Sequence, residues 1–249
     1  MEQREKLYGL QDEVISALSE FAGSYNFPFV LTGGTALVRF LLKNHYRVSY
    51  DLDFFSTTCF SVQELAKVVE EIADFLSKRF HFKIKEPVGT SEIPIIKCEV
   101  SSESCSFKID FVGDNFFSGI FQPVKFFANL YIEPLEAIYF RKVYSLLSSS
   151  VQGIAVDRIK DTLDLIQLDG NVKPFTNYVV EDFCAIWKQN IPREISPLHI
   201  LKPLKKLFLN VEERKEEVDK VLSEVYYTSI TTEEVLKWLR FQIEKLSQL

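Results

Sequence analysis

Gly33 and Gly34, with the aspartates Asp51 and Asp53 downstream of them, are the residues of this chain whose types and spacing can do chemistry. The stretch from Leu31 to Ser56 reads LTGGTALVRFLLKNHYRVSYDLDFFS. A short apolar run, Phe29 to Leu31, breaks at the glycine pair, and Thr35 to Leu42 resumes with helical spacing. The pair is therefore expected between a strand and a helix start. Glycine lets the backbone approach an anion closely, and the free N–H groups of a helix start point at it. Asp51-Leu52-Asp53 lies in a β-prone run with Tyr50, Phe54 and Phe55, and alternate residues of a strand share a face. Two carboxylates about 5 Å apart repel by roughly 3 kcal/mol at an effective dielectric of 20, or about two pKa units. A divalent cation relieves that repulsion, and Mg²⁺ favours one or two protein carboxylates completed by water and phosphate oxygens. A phosphate-holding turn beside a carboxylate pair points to metal-assisted phosphoryl or nucleotidyl transfer. Each feature alone is more often a plain turn or a solvated strand edge. Their order, with an apolar helix between them, carries the reading.

A site that holds two metal ions and deprotonates an acceptor hydroxyl needs a third carboxylate. Asp110 is the candidate, in the β-type run Phe107 to Val112. By period-2 parity it shares a face with Lys108 and Val112, opposite Phe107, Ile109 and Phe111, so it can face a cleft while its neighbours fill a core. Asp114, after Gly113, reads as turn chemistry.

The elements that must position these residues begin with a helix over Glu5 to Phe21, a strand over Pro28 to Leu31, a helix over Thr35 to Leu42 and the aspartate-bearing strand. Ser61 to Leu76 is predicted helical, with Ser61 as N-cap and Glu64 completing a capping box. Three β-type runs follow, Phe80 to Lys85, Ile93 to Val100 and Ser106 to Val112, the last two joined by a polar SSESC turn. The fold class is α+β: a mixed sheet of about five strands with flanking helices, followed by an α-helical carboxy-terminal region. The helices expected there are Leu135 to Leu147, Val156 to Leu168, Asn177 to Gln189, Pro197 to Phe208, Glu212 to Tyr226 and Thr232 to Leu246, with breaks at Asn171, Pro174, Pro192 and Asn210. The domain boundary is placed between 133 and 134. Lys160 and Asp164, four apart, also fit a simple ion pair along a helix face.

Gly-Gly-Thr-Ala-Leu followed by Arg-x-Ser-x-Asp-Leu-Asp-Phe-Phe resembles the AbiEii/AbiGii toxin family of nucleotidyltransferases, a branch of the polymerase-β-like superfamily with a minimal palm fold. The resemblance, which covers roughly Phe27 to Leu168, implies that Gly33, Gly34 and Thr35 hold the phosphates of a nucleoside triphosphate. It makes Arg47 and Ser49 the residues that precede the metal pair, Asp51 and Asp53 that pair, and Asp110 the later carboxylate that completes the metal site for two Mg²⁺ ions. Lys142 matches a lysine-bearing helix, and Lys160, Asp161 and Asp164 match a basic-Asp-x-x-Asp helix, where Arg158 can replace the family's basic residue. Nucleotide contacts are implied for Arg47, Ser49, Lys142, Lys160, Asp161 and Asp164. The implied acceptor is RNA, the 3′ end of a tRNA, and the implied role is a growth-inhibiting toxin countered by an antitoxin protein. A protein or small-molecule acceptor, or a partner-binding module without catalysis, are the competing expectations.

Composition agrees with a soluble enzyme without selecting one. The 249 residues are 47% hydrophobic, enough for a sizeable core in one large domain or two modest ones. A net charge of -6, from 29 Lys and Arg against 35 Asp and Glu, argues against a surface coated with positive charge. A local basic cluster of Lys202, Lys205 and Lys206 lies beside His199. Cys59, Cys98, Cys105 and Cys184 lack metal-type pair spacing and read as reduced core thiols. The first residues start a charged amphipathic helix and no apolar run reaches membrane-spanning length, so a cytoplasmic location without membrane contact is expected.

Overall fold

Apolar residues at helical spacing, Leu7, Leu10, Val14, Leu18 and Phe21, form the buried stripe of the first helix, α1 (Glu2–Ser24). The computed structural model describes residues 2–43, 46–85, 87–114, 119–152, 159–191, 193–225 and 230–249. The chain divides into two compact units, Met1–Asn44 with Val48–Pro134, and His45–Arg47 with Leu135–Leu249.

In the first unit the described residues form one mixed sheet of eight strands: β1 (Phe29–Thr32), β2 (Leu52–Ser56), β3 (His81–Ile84), β4 (Val88–Gly89), β5 (Pro94–Ser101), β6 (Ser106–Val112), β7 (Val124–Phe127) and β8 (Leu130–Ile132). Their order is β3-β5-β6-β2-β1-β8-β7, with β4 also paired to β5. The pairs β2–β6 and β1–β8 are parallel and the others antiparallel. The strand count exceeds the expected five because β4, β7 and β8 span only two to four residues, too few for an alternating pattern to show. Leu31, Phe54, Phe111 and Ile96 are register neighbours across four strands and are all buried. Phe54 stacks on Phe111 at 5.6 Å between ring centroids, and Phe27 bridges Phe54 to Phe21 of α1. Phe21 meets Phe75 of the next long helix, α3 (Val62–Leu76), so one sheet face is closed by α1 and α3. Ser61 and Glu64 make the expected reciprocal capping box at the start of α3. Between β1 and β2, a short α-helical turn, α2 (Gly33–Thr35), runs into a π-helical turn over Ala36–Leu41.

The second unit is helical: α4 (Leu135–Gln152), α5 (Ile159–Asn171), α6 (Phe175–Asn177) continuing through a π-helical turn Tyr178–Phe183 into α7 (Cys184–Asn190), then α8 (Pro197–Glu213), α9 (Lys215–Val225) and α10 (Thr232–Ser247). Residues 156–158, expected to open α5, and Tyr226, expected to end α9, lie outside the described residues. Asn210 does not break a helix as expected. The buried series Ile200, Leu204, Leu207 and Val211 keeps helical spacing across it, and burial outweighs the turn preference of one asparagine. Tyr139 and Tyr178 stack face to face at 3.9 Å in the core, their hydroxyls donating to the carbonyls of Lys173 and Glu136. None of the four cysteines forms a disulfide; Cys98 is buried, while Cys59 is exposed and so is not the core thiol expected.

Candidate active site

At the end of β1 the backbone turns sharply. Gly33 has φ +71°, a conformation that side chains rarely tolerate, and a Cβ there would lie 2.1 Å from Oδ2 of Asp53. The carboxylate of Asp53 therefore rests against the bare backbone of the turn, and glycine is required twice over, by conformation and by space. Thr35 is fully buried, and its hydroxyl donates to the carbonyl oxygen of Asp51 at 2.5 Å. That bond ties the glycine turn to the start of the aspartate strand. It also explains why β2 begins at Leu52: the carbonyl of Asp51 is held by a side chain rather than by the ladder. Asp53 thus sits in the sheet, whereas Asp51 stands exposed at its mouth. Ser49 is buried, and its carbonyl accepts from the side chain of Gln11 at 3.2 Å. Arg39, stacked over Tyr8 at 4.3 Å, holds Gln11 at 2.8 Å and Asp12 at 2.6 Å.

Across the sheet, opposite the phenylalanine-rich face, runs a polar row. Lys97 pairs in register with Asp110, Asp110 with Asp53, and Asp53 with Thr32. The hydroxyl of Thr32 donates to Oε2 of Glu133, a buried residue just past β8 whose N–H donates to the carbonyl of Leu31 at 2.9 Å. Two carboxylates on adjacent strands are close neighbours, and the structure leaves one atom of this pair unsatisfied: Oδ1 of Asp110 is buried without a hydrogen-bond partner among the described residues. Burial pushes the carboxyl of Asp110 above its ordinary value; Lys97 opposes this, and the negative charge of Asp51 adds to it. Cys98, next to this row, is pushed up to about 12 by burial and by the charge of Asp110.

These residues fit a divalent cation. A buried carboxylate oxygen with no donor, a register-paired second carboxylate and a bare glycine backbone together form a place that positive charge stabilises. No three His, Cys, Asp or Glu side chains close into a metal cage among the described residues. The protein thus offers an open carboxylate pair rather than a full ligand set, the manner in which Mg²⁺ is usually held when phosphate and water complete its shell.

The second unit holds the other predicted residues in a charge network of a different kind. Asp164 of α5 is fully buried and accepts from Arg47 Nε at 2.7 Å, Arg47 Nη2 at 2.8 Å and the hydroxyl of Tyr46 at 2.5 Å. Lys142 of α4 reaches Asp164 at 2.7 Å and Asp161 at 2.6 Å, and Ser145 donates to Asp161 at 3.2 Å. Burial alone would raise the Asp164 carboxyl, but Arg47 and Lys142 hold it well below the carboxylate range. For Lys142, burial would depress the ammonium, and Asp161 with Asp164 carries it above its usual value instead. Burial and the Asp164 charge raise the phenol of Tyr46. Asp164 thus pairs with Arg47 and Lys142; Lys160, four residues before it on α5, is half-buried. Arg158 lies outside the described residues.

The structure therefore gathers Gly33, Thr35, Asp51, Asp53 and Asp110 in one unit, and Arg47, Lys142, Asp161 and Asp164 in the other. Thr32, Glu133 and Tyr46 were not foreseen. Thr32 could have been noticed, since it directly precedes the glycine pair; Glu133 and Tyr46 are single residues whose positions depend on sheet order and on long-range pairing.

A mixed sheet that carries register-paired aspartates beside a glycine turn, with a helical carboxy-terminal region, has the nucleotidyltransferase fold. The chain belongs to the family described as nucleotidyl transferase AbiEii toxin, type IV toxin–antitoxin system, whose sequence pattern matches residues 16–222. Among solved structures it is similar to MenT4, a nucleotidyltransferase toxin of Mycobacterium tuberculosis H37Rv, with 15% identity, a TM-score of 0.58, and coverage of 99% of this chain and 85% of that one. JHP933 from Helicobacter pylori is similar at 13% identity and a TM-score of 0.51, covering 100% of this chain and 95% of that one. No curated protein matches the sequence. The protein is a nucleotidyltransferase, and among its described residues no helix is long and apolar enough to cross a membrane.

Proposed function

We propose that the protein transfers a nucleoside monophosphate from a nucleoside triphosphate to the hydroxyl at the 3′ end of a tRNA, releasing pyrophosphate, and that it acts as the toxin of a toxin–antitoxin pair. The observation that carries the catalytic half of this reading is the orphaned Oδ1 of Asp110 in register with Asp53 beside the glycine turn. Asp53 and Asp110, with Asp51 at the mouth of β2, would hold Mg²⁺. Bound there, Mg²⁺ supplies charge neutralisation at the phosphates and a lowered pKa for the attacking hydroxyl. Gly33 and Gly34 carry no side chain, so the backbone of the turn would let a triphosphate approach closely. Thr35 keeps the turn and Asp51 in fixed relation through its hydrogen bond. Motif order assigns the partly exposed pair of Lys142 and Asp161 to the nucleotide as well, with Asp161 and Asp164 holding Lys142 charged against the opposing charge of Arg47. The tRNA acceptor and the antitoxin rest on family membership.

The test is incubation of the full chain with Mg²⁺, each labelled nucleoside triphosphate in turn, and total cellular RNA and protein, beside an Asp51→Ala, Asp53→Ala variant. Label entering tRNA only with the intact aspartates is the expected result. Label on a protein or small-molecule band replaces the acceptor, and no transfer with any of the four nucleotides rejects the catalytic reading.

A further inference from the structure

We infer that Gln11 of α1 is a positioning residue for Asp51, acting through the backbone of Ser49; the inference rests on the cation-binding reading of Asp51, Asp53 and Asp110. Ser49, Tyr50 and Asp51 precede β2 and lie outside the strands, so Asp51 is placed by whatever holds this segment rather than by the sheet ladder. Two side chains hold it, at carbonyls two residues apart. Nε2 of Gln11 donates to Ser49 at 3.2 Å, and the hydroxyl of Thr35 donates to Asp51 at 2.5 Å. Gln11 and Thr35 are both fully buried. Thr35 fixes the residue itself, and Gln11 fixes the chain that leads to it.

Arg39 decides which way the Gln11 amide points. Its Nη1 donates to Oε1 of Gln11 at 2.8 Å, and a guanidinium has donors only. A reversed amide would set its NH₂ against those donors and its oxygen against the carbonyl of Ser49, losing both hydrogen bonds, so Nε2 stays turned to Ser49. Arg39 is oriented in turn by Asp12 at 2.6 Å and by the ring of Tyr8 at 4.3 Å, and its side chain is only 8% exposed. Tyr8, Gln11 and Asp12 lie three and four residues apart, hence on one face of α1. Thr35 ends α2 and Arg39 belongs to the π-helical turn that continues it. The segment after the glycine pair therefore grips the approach to Asp51 twice, once directly and once through Gln11. Gln11 carries no charge and Arg39 is paired with Asp12, so the action on Asp51 is one of geometry. That matters unequally to different cations: Mg²⁺ demands near-ideal octahedral geometry, whereas Ca²⁺ accepts a flexible shell.

Mn²⁺ titration of the full chain, followed by the electron paramagnetic resonance signal of free Mn²⁺ and repeated with Mg²⁺ and Ca²⁺ as competitors, tests this without any turnover. Wild type is expected to bind Mn²⁺ saturably and to release it to Mg²⁺. Asp51→Asn removes a ligand with its charge and should weaken both competitors. Gln11→Met keeps most of the side-chain bulk and removes both hydrogen bonds; Mg²⁺ should then compete about tenfold less well, and Ca²⁺ nearly as well as in wild type. Both ions carry the same charge, so a role confined to stability or to the local field would move them together or not at all. If Gln11→Met does not fold, Gln11→Glu stands in: it has the same shape, still accepts from Arg39 and cannot donate to Ser49 when ionised. Its added charge attracts both ions, so the ratio of Mg²⁺ to Ca²⁺ competition remains the reading. A wild-type ratio in Gln11→Met, or in Gln11→Glu where only that folds, overturns the role of Gln11 and leaves the metal site standing. Unchanged Mg²⁺ competition in Asp51→Asn removes Asp51 from the site and overturns the inference, while Asp53 and Asp110 stand. Absence of saturable binding in wild type overturns the metal reading and this inference together.

Discussion

Asp164 in the second unit is fully buried and Asp110 in the first is half-buried with one carboxylate oxygen shut off from water, and the protein treats their charges in opposite ways. Asp164 accepts from Arg47 and Tyr46 and pairs with Lys142, and its carboxyl is held below the ordinary range. Asp110 faces a second aspartate in register, retains a buried oxygen without a donor among the described residues, and has its carboxyl raised. One carboxylate is saturated from within the chain, and the other keeps a buried oxygen with no donor among the described residues. The contrast is the one expected if Asp164 holds structure together and Asp110 serves the proposed cation, since an unsatisfied buried polar group in a native protein calls for an explanation such as an ion.

The largest effect that could break this contrast is on transfer. Asp53→Ala removes the member of the pair that rests against the glycine turn. Metal-mediated charge stabilisation is worth several kcal/mol in the transition state, so the rate should fall roughly a thousandfold or more, with little change in the unfolding midpoint. Labelled-nucleotide transfer and urea denaturation, measured on the same preparation, check both halves. A variant that transfers at even a tenth of the wild-type rate would place the chemistry elsewhere.

Asp164→Ala reverses the pattern. It strands Arg47 and part of the charge of Lys142 in the interior, and breaking a buried pair by deleting one partner costs about 3 to 5 kcal/mol. The urea midpoint should drop sharply. The acid limb also differs: the Asp164 carboxyl is lowered in the folded state, so its stabilisation is present above the ordinary value of 3.8 and is lost as pH falls below it. Wild type should therefore lose stability steeply in that acid range, and Asp164→Ala should lose less.

Gly33→Ala and Gly170→Ala compare the same change in the two units. At Gly33 the added carbon meets Asp53 with φ at +71°, and a stability loss of about 2 kcal/mol with loss of transfer is expected. Gly170 lies in α5 with nothing within 4 Å of an added carbon. There alanine should leave stability unchanged or raise it by about 0.5 kcal/mol. Thermal melts of the two variants decide the matter; equal losses would mean that the turn is no tighter than an ordinary helix end.

How much of this was legible in the sequence depended on the range of the interactions. The α3 capping box was readable because Ser61 and Glu64 act on each other three residues apart. The polar-face placement of Asp110 was readable because strand parity is local: Phe107, Ile109 and Phe111 are buried, and Asp110 is not among them. The glycine-to-aspartate order was readable, but not that Thr35 would give its proton to the carbonyl of Asp51, a contact across 16 residues. Glu133 and Thr32 are 101 residues apart, and only the parallel pairing of β8 with β1 brings them together. Asp164 and Arg47 are separated by 117 residues, and no local pattern distinguishes a saturated aspartate from an open one.

Asp110→Asn is the smallest and most discriminating change, because its two readouts should move in opposite directions. Asparagine keeps the shape of the side chain and removes the charge. If Asp110 were a structural residue like Asp164, the change would destabilise the protein. An unsatisfied buried charge instead predicts a gain of about 1 kcal/mol at neutral pH, together with loss of transfer. The sign of the pH dependence follows from the raised carboxyl. Between the ordinary value of 3.8 and the higher folded value, the native state binds more protons than the unfolded chain, so stability conferred at low pH is lost as pH rises through that window. The advantage of Asp110→Asn over wild type should therefore be small below pH 3.8, grow through the window and level off above it. Urea titrations of the two proteins across that range give the difference directly. A constant difference would mean that Asp110 does not titrate differently on folding, and a destabilised variant would make Asp110 a second Asp164. Saturating Mn²⁺ should erase the advantage, because the cation stabilises only the protein that still has the carboxylate.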